Sequence, residues 1–296
     1  MKFCNVVQGF VGSRIDRGVC VLSELKSLGE THLPHVYAKA CDLFDRKVAR
    51  NPHNEVNLLP LLVNAGETAC DIGANHGLFT FFLLQQNVRV LAFEPNPRLV
   101  RILRHRFPDA IRRGDLRLFD CALSDAEGQA TLHVPKGFSP LATLDGALVT
   151  ADVEMDTIAV PLQRLDAVVR EEVAFIKLDV EGHEARVLLG ADHLLRATLP
   201  TLLVEAEERH RPGAVASVDA LLAPMGYAGL FFVNGAPHPL SAFDMQRHQR
   251  RAALNAAGTK VLPGQTYINN FVFVARAEAK ARLAARWPDL GPGFGL

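Results

Sequence analysis

Short apolar runs alternate with helical patterns along most of the chain. Seven runs have the length and apolar content of buried strands, and they lie at 68–72, 88–93, 116–122, 174–179, 201–205, 228–233 and 270–275. Helical stretches lie between several of them, at 78–86, 97–107, 184–195 and 215–222. An irregular excursion at 136–156 interrupts this alternation. Strands that alternate with helices favour a mostly parallel sheet with helices on both faces, so the pattern predicts an α/β fold.

Two flanking regions show a weaker pattern. From residue 25 the sequence predicts helices that are broken at Pro34 and Pro52. The segment 238–266 is polar, basic and poorly patterned. We therefore predict a helical N-terminal segment over 1–56 and one main domain over 57–296, with 238–266 as a candidate lid.

Composition and charge fit a protein with one large core. The 296 residues are 49% hydrophobic, and 32 basic side chains balance 32 acidic ones. A balanced charge gives no reason to expect a nucleic-acid or anionic-membrane partner.

Cysteine usage and the apolar runs bear on the compartment. The five cysteines are odd in number and show no C-x-x-C spacing, which disfavours a disulfide framework or a zinc site and fits a reducing compartment. Asn5 and Gln8 interrupt the N-terminal apolar stretch, which makes it a poor secretory signal. The longest apolar runs fall far short of a membrane span. We therefore predict a cytoplasmic protein.

The first two predicted strands end in residues that suit an adenosine ligand. The first ends in the turn Asp71-Ile72-Gly73-Ala74-Asn75-His76-Gly77, whose glycines allow the backbone to approach a ligand, so a branched residue at Gly73 should impair binding and leave the fold largely intact. Glu94 ends the second strand, where a carboxylate can accept hydrogen bonds from both hydroxyls of a ribose. The spacing is G-x-x-x-G, not the G-x-G-x-x-G that packs against pyrophosphate. The residues predicted to bind are Asp71, Gly73, Asn75, Gly77 and Glu94.

The third and fourth strands add candidates at the same edge of the sheet. Cys121 and Ala122 offer an apolar surface for adenine, and Asp120 could accept from its amino group. The fourth strand is apolar except for Lys177 and Asp179, which strand alternation places on one face. Because buried charge is costly unless it is paired, these two side chains mark the place where the reactive end of a cofactor is expected.

Taken in this order, the motifs resemble those of the FkbM family of methyltransferases. The matching stretches are 71–77, 93–97, 122–125, 176–182, 189–191, 204–205 and 270–274. The resemblance covers about residues 57–276, and its most specific part is the strand that carries Lys177 and Asp179. It implies a class I methyltransferase (Rossmann-like) fold with seven strands, six of them parallel and the last antiparallel, and helices on both faces. It also implies S-adenosylmethionine as the methyl donor and, usually, O-methylation of a sugar, glycan or secondary metabolite.

Methyl transfer to a hydroxyl calls for a base that removes its proton. Asp179 is the first candidate, also placed to contact the cofactor, and His183 is the second. Glu205 ends the fifth strand and is expected to pair with Lys177, which would keep Asp179 free for the acceptor. A magnesium ion held by Asp179, Glu181 and Glu205 is the alternative, but Lys177 would compete for those carboxylates, so we expect no metal.

Two other function classes stay open on the residues alone. One is a nicotinamide-dependent oxidoreductase, which the glycine spacing disfavours. The other is a non-catalytic adenosine-binding module, which the retained charged residues disfavour. The expected acceptor is a small molecule or glycan, with no nucleic-acid or membrane partner. The sequence identifies neither the acceptor nor the oligomeric state.

Overall fold

The computed structural model describes residue 29 and residues 32–135, 142–144, 154–255 and 258–288. Within these ranges the strands are β1 (Thr68–Ile72), β2 (Arg89–Phe93), β3 (Leu116–Phe119), β4 (Ala122–Leu123), β5 (Gly128–Pro135), β6 (Met155–Gln163), β7 (Phe175–Leu178), β8 (Thr201–Glu205), β9 (Ala228–Val233), β10 (Ala236–Pro239) and β11 (Asn270–Val274). All seven predicted strands are present, and three of them have the predicted bounds. A period-two apolar pattern between turn residues therefore located the sheet well.

The α-helices are α1 (Pro34–Val48), α2 (Leu59–Leu62), α3 (Leu78–Gln85), α4 (Pro97–Arg106), α5 (Pro108–Arg113), α6 (Leu165–Val168), α7 (Glu184–Leu189), α8 (Asp192–Thr198), α9 (Ala214–Leu222), α10 (Met245–His248) and α11 (Ala277–Arg286). Short 3-10 helices lie at Glu55–Leu58, Ala223–Met225, Leu240–Ala242 and Arg251–Ala253. No helix in the described ranges is long and apolar enough to cross a bilayer.

The main sheet has the order β10-β9-β11-β8-β7-β1-β2-β3. Strands β3, β2, β1, β7 and β8 pair in parallel, and β11 pairs antiparallel with both β8 and β9. Six strands therefore run one way and β11 runs the other, which confirms the predicted class I methyltransferase arrangement. The hairpin strand β10 extends the sheet at the β9 edge. Large buried apolar clusters lie on each face of the sheet, as expected when helices cover both.

The predicted third strand is wrong in its second half. Only β3 belongs to the main sheet, because the chain leaves it at Asp120 and β4 then pairs with Leu162 and Gln163 of β6. The chain between β4 and α6 contains a β5–β6 hairpin that the sequence analysis missed. The apolar residues Ala130, Leu132 and Val134 alternate with other residues, and this pattern would have predicted β5. Much of the predicted excursion, 136–141 and 145–153, lies outside the described residues.

Two helix predictions also need correction. Pro34 does not break a helix but begins α1, a position that tolerates proline because its N–H would be unbonded anyway. The helix predicted over 184–195 is two helices, α7 and α8, that meet at Gly190. A side chain at Gly190 would lie 1.9 Å from the carbonyl oxygen of Ser124, so the close contact with that loop sets the break.

The basic segment 238–266 packs against the end of β8 through buried polar contacts. The Gln249 side chain donates to the carbonyl oxygen of Ala206 at 2.7 Å and accepts from the N–H of Glu208 at 2.9 Å. The Ile268 N–H donates to the carbonyl oxygen of His248 at 2.7 Å. The segment therefore lies beside the carboxyl ends of the parallel strands. Its action as a lid stays a prediction.

Candidate functional site

A cavity opens at the carboxyl ends of β1, β2 and β7, the edge where parallel sheets bind ligands. Several predicted residues line it, namely Gly73, Asn75, Glu94, Cys121, Ala122 and Asp179. Three others do not, namely Asp71, Gly77 and Asp120. The cavity therefore has polar walls from the strand ends and one apolar wall from the chain that follows β3.

The Glu94 carboxylate is held in place by backbone. One oxygen accepts from the N–H of Asn75 and the other from the N–H of Asn96, both at 2.8 Å. Glu94 is buried, and burial raises its pKa to about 7, although the two N–H donors act to lower it. A carboxylate fixed in this way, with its remaining lone pairs in the cavity, suits the two hydroxyls of a ribose.

An apolar wall faces Glu94. Cys121, Ala122 and Leu123 line it together with Leu99 and Phe93. All five are buried, and burial raises the pKa of the Cys121 thiol to about 11, so it remains neutral near pH 7. The flat apolar surface can hold the face of an adenine ring.

Asp120 is placed away from this wall, contrary to the prediction. Its carboxylate is exposed and forms an ion pair with Arg104 at 2.7 Å. The chain turns from the main sheet to β4 at this residue, and the turn directs the side chain outward. Asp120 therefore pairs with Arg104 and does not line the cavity, and its bond to adenine stays a prediction.

Gly73 brings the ends of β1 and β7 together. Its φ is +76°, and an added Cβ would lie 1.9 Å from the carbonyl oxygen of Asp179. The glycine therefore serves strand packing as well as the cavity it lines. This geometry argues against the expectation that a branched residue at Gly73 would leave the fold intact.

Asp71 and Gly77 stabilise the glycine turn through a hydrogen-bonded contact and through packing. The Asp71 carboxylate accepts from the N–H of Thr80 at 2.9 Å and from its hydroxyl at 2.6 Å, which fixes the start of α3. A Cβ at Gly77 would lie 2.7 Å from both Leu103 and Phe107. Both residues shape the loop and neither lines the cavity, so their part in cofactor binding stays a prediction.

Lys177, Asp179 and Glu205 form a charged cluster beside the cavity. The Lys177 Nζ lies 3.9 Å from Glu205 Oε2, on the neighbouring strand, which confirms the predicted pairing. The same nitrogen lies 3.9 Å from Asp179 Oδ2, so Asp179 is not kept apart from the ion pair as predicted. Asn270 accepts from Lys177 at 3.3 Å, and the Phe79 ring lies 5.2 Å from the ammonium.

The buried Lys177 ammonium therefore lies near two carboxylates, those of Asp179 and Glu205. The pKa of Glu205 is raised to about 8, because burial and the nearby Asp179 raise it and Lys177 opposes them only in part. Asn269 also donates to Glu205 at 2.6 Å. Glu205 therefore keeps its proton near pH 7, and the one ammonium does not face two full negative charges.

Two residues near this cluster, Glu181 and His210, were not predicted to be catalytic. Glu181 lines the cavity next to Asp179, and its Oε2 lies 3.1 Å from Nδ1 of His210. Glu181 was weighed only as a metal ligand. His210 lies in the loop after β8, a position that no motif marks. No set of three or more His, Cys, Asp or Glu side chains is arranged to hold a metal ion in the described part of the chain.

His183 is placed on the far side of the turn. Its Nε2 lies 2.9 Å from the Ser124 hydroxyl, and the residue is not part of the cavity wall. His183 also precedes α7 as its N-cap residue. The structure thus links this imidazole to the β4 loop.

Comparison with known proteins agrees with this geometry. A family model described as the methyltransferase FkbM domain matches residues 71–228, which include both strand-end motifs and the charged strand. The chain is 27% identical to the methyltransferase sdnD of Sordaria araneosa, over 53% of this chain and 72% of that protein. It is also 27% identical to the AMB antimetabolite synthetase AmbE of Pseudomonas aeruginosa, over 51% of this chain but only 9% of AmbE.

One solved structure that aligns with the chain is that of methyltransferase FkbM from Methylobacillus flagellatus KT. It aligns with 86% of this chain and 58% of its own length, at a TM-score of 0.46 and 16% identity. That likeness is too distant to bear on function.

Proposed function

Because the chain belongs to the FkbM methyltransferase family, we propose that it transfers the methyl group of S-adenosylmethionine to a hydroxyl of a sugar, glycan or secondary metabolite. The observation that carries the proposal is one cavity with two chemically different ends. At one end Glu94 is held by two backbone N–H groups, and at the other Asp179 and Glu181 reach the wall.

The cavity fits the donor at its nucleoside end. Glu94 would hold the ribose hydroxyls, and Cys121, Ala122 and Leu123 would cover the adenine face. Gly73 keeps the turn close to the strand ends, where the amino-acid part of the donor would lie. Bound there, the sulfonium would supply an activated methyl group, so alignment of donor and acceptor is the main task left to the protein.

The acidic end of the cavity supports a hydroxyl acceptor. Carboxylates accept hydrogen bonds from hydroxyl groups and can also take up the proton that leaves when an alcohol oxygen is methylated. A sugar or polyhydroxylated metabolite offers several such hydroxyls. The name of AmbE, an antimetabolite synthetase, fits a metabolite acceptor.

Two measurements test the proposal. Calorimetry should show that the protein binds S-adenosylmethionine and its demethylated product, and that NAD does not compete. Methyl transfer from isotopically labelled donor to a panel of glycosides and hydroxylated metabolites should then label a hydroxyl oxygen, identified by mass spectrometry. Tight NAD binding without a response to S-adenosylmethionine would overturn the assignment, and label found on nitrogen or carbon would overturn O-methylation.

A further inference from the structure

We propose that Glu181, paired with His210, accepts the proton that the acceptor hydroxyl loses during methyl transfer. This inference rests on the proposed function and adds a catalytic residue to its site. Glu181 would be the group that contacts the acceptor, and His210 would be a positioning residue that shares the proton.

The three carboxylates at the acidic end of the cavity have different partners. Asp179 and Glu205 each lie 3.9 Å from the Lys177 ammonium, which stabilises their charged forms. The side chain opposite Glu181 is instead an imidazole, with Nδ1 of His210 at 3.1 Å. Glu205 does not line the cavity, so the comparison is between Asp179 and Glu181. A carboxylate beside an ammonium is a weaker base than one backed by a neutral imidazole, so Glu181 is better suited than Asp179 to take up a proton.

The backbone holds Glu181 in a conformation that side chains rarely adopt. Its φ is +53° and that of Gly182 is +95°. Glu184 accepts from the N–H of Gly182 at 2.9 Å, and Thr143 donates to the carbonyl oxygen of Glu181 at 3.3 Å. Strained residues fixed by surrounding contacts cluster at functional sites, and here the strained turn directs Glu181 into the cavity wall.

His210 is held against Glu181 by packing and by a buried polar network. A Cβ at Gly182 would lie 3.2 Å from Cβ of His210, so the glycine leaves room for the ring. The His210 N–H donates to the carbonyl oxygen of Glu207 at 3.0 Å. The Glu207 carboxylate in turn accepts from Arg209 and from the Tyr267 hydroxyl, both at 2.5 Å. The loop that carries the imidazole is therefore fixed in position.

The charges around the pair favour a single shared proton. Burial, with Asp179 and Glu205 nearby, holds the pKa of Glu181 well above its usual range. Burial lowers the pKa of His210; Arg209 acts in the same direction, whereas Glu207 and Asp179 oppose the shift. Both shifts favour neutral partners, so the pair loses its proton at a higher pH than an ordinary carboxyl group and then carries one negative charge.

The proton and electrons balance in one step. The hydroxyl oxygen forms a bond to the methyl carbon with its own electron pair, and the carbon–sulfur bond breaks with its pair left on sulfur. The hydroxyl proton passes to the Glu181–His210 pair, which becomes neutral overall and later releases the proton to water.

Imidazole NMR of the ligand-free protein tests the pair without any acceptor. In protein labelled at histidine, the ring-nitrogen shifts of His210 should change as the pair loses its shared proton, because Nδ1 of His210 faces the Glu181 carboxyl group. Glu181→Gln should abolish this titration step, since an amide does not ionise, whereas Glu205→Gln should retain it. A His210 titration that is unchanged in Glu181→Gln would overturn the pairing.

The catalytic role of Glu181 is tested by single-turnover rates of methyl transfer. The acceptor is the hydroxyl compound identified in the panel of glycosides and metabolites. Glu181→Gln should lower the rate about 10²–10⁴-fold with unchanged donor affinity and abolish its rise with pH. His210→Gln should shift the pH of that rise, and the exposed control His193→Gln should match wild type. If Asp179→Asn abolishes the rise while Glu181→Gln keeps it, the base is Asp179. Failure of wild type to methylate any hydroxyl would refute the proposed function, whereas the NMR result would still decide the pairing.

Discussion

Replacing Gly73 by alanine should destabilise the protein by about 2–5 kcal/mol. Two costs add at this position. The backbone has φ +76°, where an L-residue costs about 1–2 kcal/mol. The new Cβ would also lie 1.9 Å from the carbonyl oxygen of Asp179, and overpacking of this kind costs about 1–3 kcal/mol or more.

Two other glycines allow the conformational cost and the steric cost to be measured separately. Gly66 has φ +82° and nothing within 4 Å of its added Cβ, so Gly66→Ala should lose only the conformational part, about 1–2 kcal/mol. Gly190 has φ −75° but its Cβ would lie 1.9 Å from the Ser124 carbonyl oxygen, so Gly190→Ala should show the steric part alone. The entropy that alanine removes from the unfolded chain is similar in all three variants and cancels in the comparison.

Urea unfolding of wild type and the three variants at one pH measures the free energies of unfolding. Calorimetry with the demethylated donor product measures binding in the same samples. Because the Asp179 carbonyl must move to relieve the overlap, Gly73→Ala should also weaken binding, whereas Gly66→Ala should not. If Gly73→Ala is no less stable than Gly66→Ala, β1 and β7 do not approach as closely as described, and Gly73 serves the ligand alone.

Four further predictions concern the carboxylates and the basic segment. Glu94→Ala should weaken donor binding by about 2–3 kcal/mol in calorimetry, because it removes a charged acceptor of two hydrogen bonds; an unchanged Kd would exclude Glu94 from the site. Burial raises the folded-state pKa of Glu94 to about 7 and that of Glu205 to about 8, against ordinary values near 4.5. The folded state therefore keeps protons that the unfolded state loses, and stability should fall by about 1.4 kcal/mol per pH unit for each group, from pH 5 to about 7 for Glu94 and from pH 5 to about 8 for Glu205. Glu94→Gln should flatten this slope in urea titrations, and an equal slope would contradict the assignment. Lys177→Met should cost about 3–5 kcal/mol at pH 8, since it removes the cation of Asp179 and Glu205, whose side chains are only 17% and 13% exposed, and adding Glu205→Gln should restore part of the loss. Charge reversal at Arg247 and Arg250 should raise the KM of the acceptor and leave donor affinity unchanged if 238–266 acts as a lid; equal loss of both would indicate misfolding.

The strands of the sheet and several residues at the cofactor end of the candidate site were predictable from the sequence. Apolar runs between turn residues located β1, β8 and β9 to the residue, because strands buried on both faces must be apolar along their length. It was also predictable that the side chains of Lys177 and Glu205 lie on the same face of the sheet. Side chains two residues apart share a face, and parallel strands end at one edge, so two charges that interrupt neighbouring strands are forced together.

The sequence did not predict the direction of side chains that depends on the path of a loop. Asp120 follows a strand, as Glu94 does, yet one side chain turns outward to Arg104 and the other into the cavity. The difference arises because the chain leaves the main sheet after Phe119 to pair with β6, a contact between residues about forty positions apart. A repeating local pattern does not encode such a contact.

Local patterning determined which residues are buried and which face each strand residue takes, because strand geometry repeats every two residues. The roles of the glycines and the contacts of the carboxylates at the cavity were decided only in the tertiary structure. Gly77 packs against α4, and Glu181 meets His210 across 29 positions of the chain. These contacts depend on where separate loops meet in the folded structure, and the energy that fixes them comes from long-range packing and buried charge that no single segment contains.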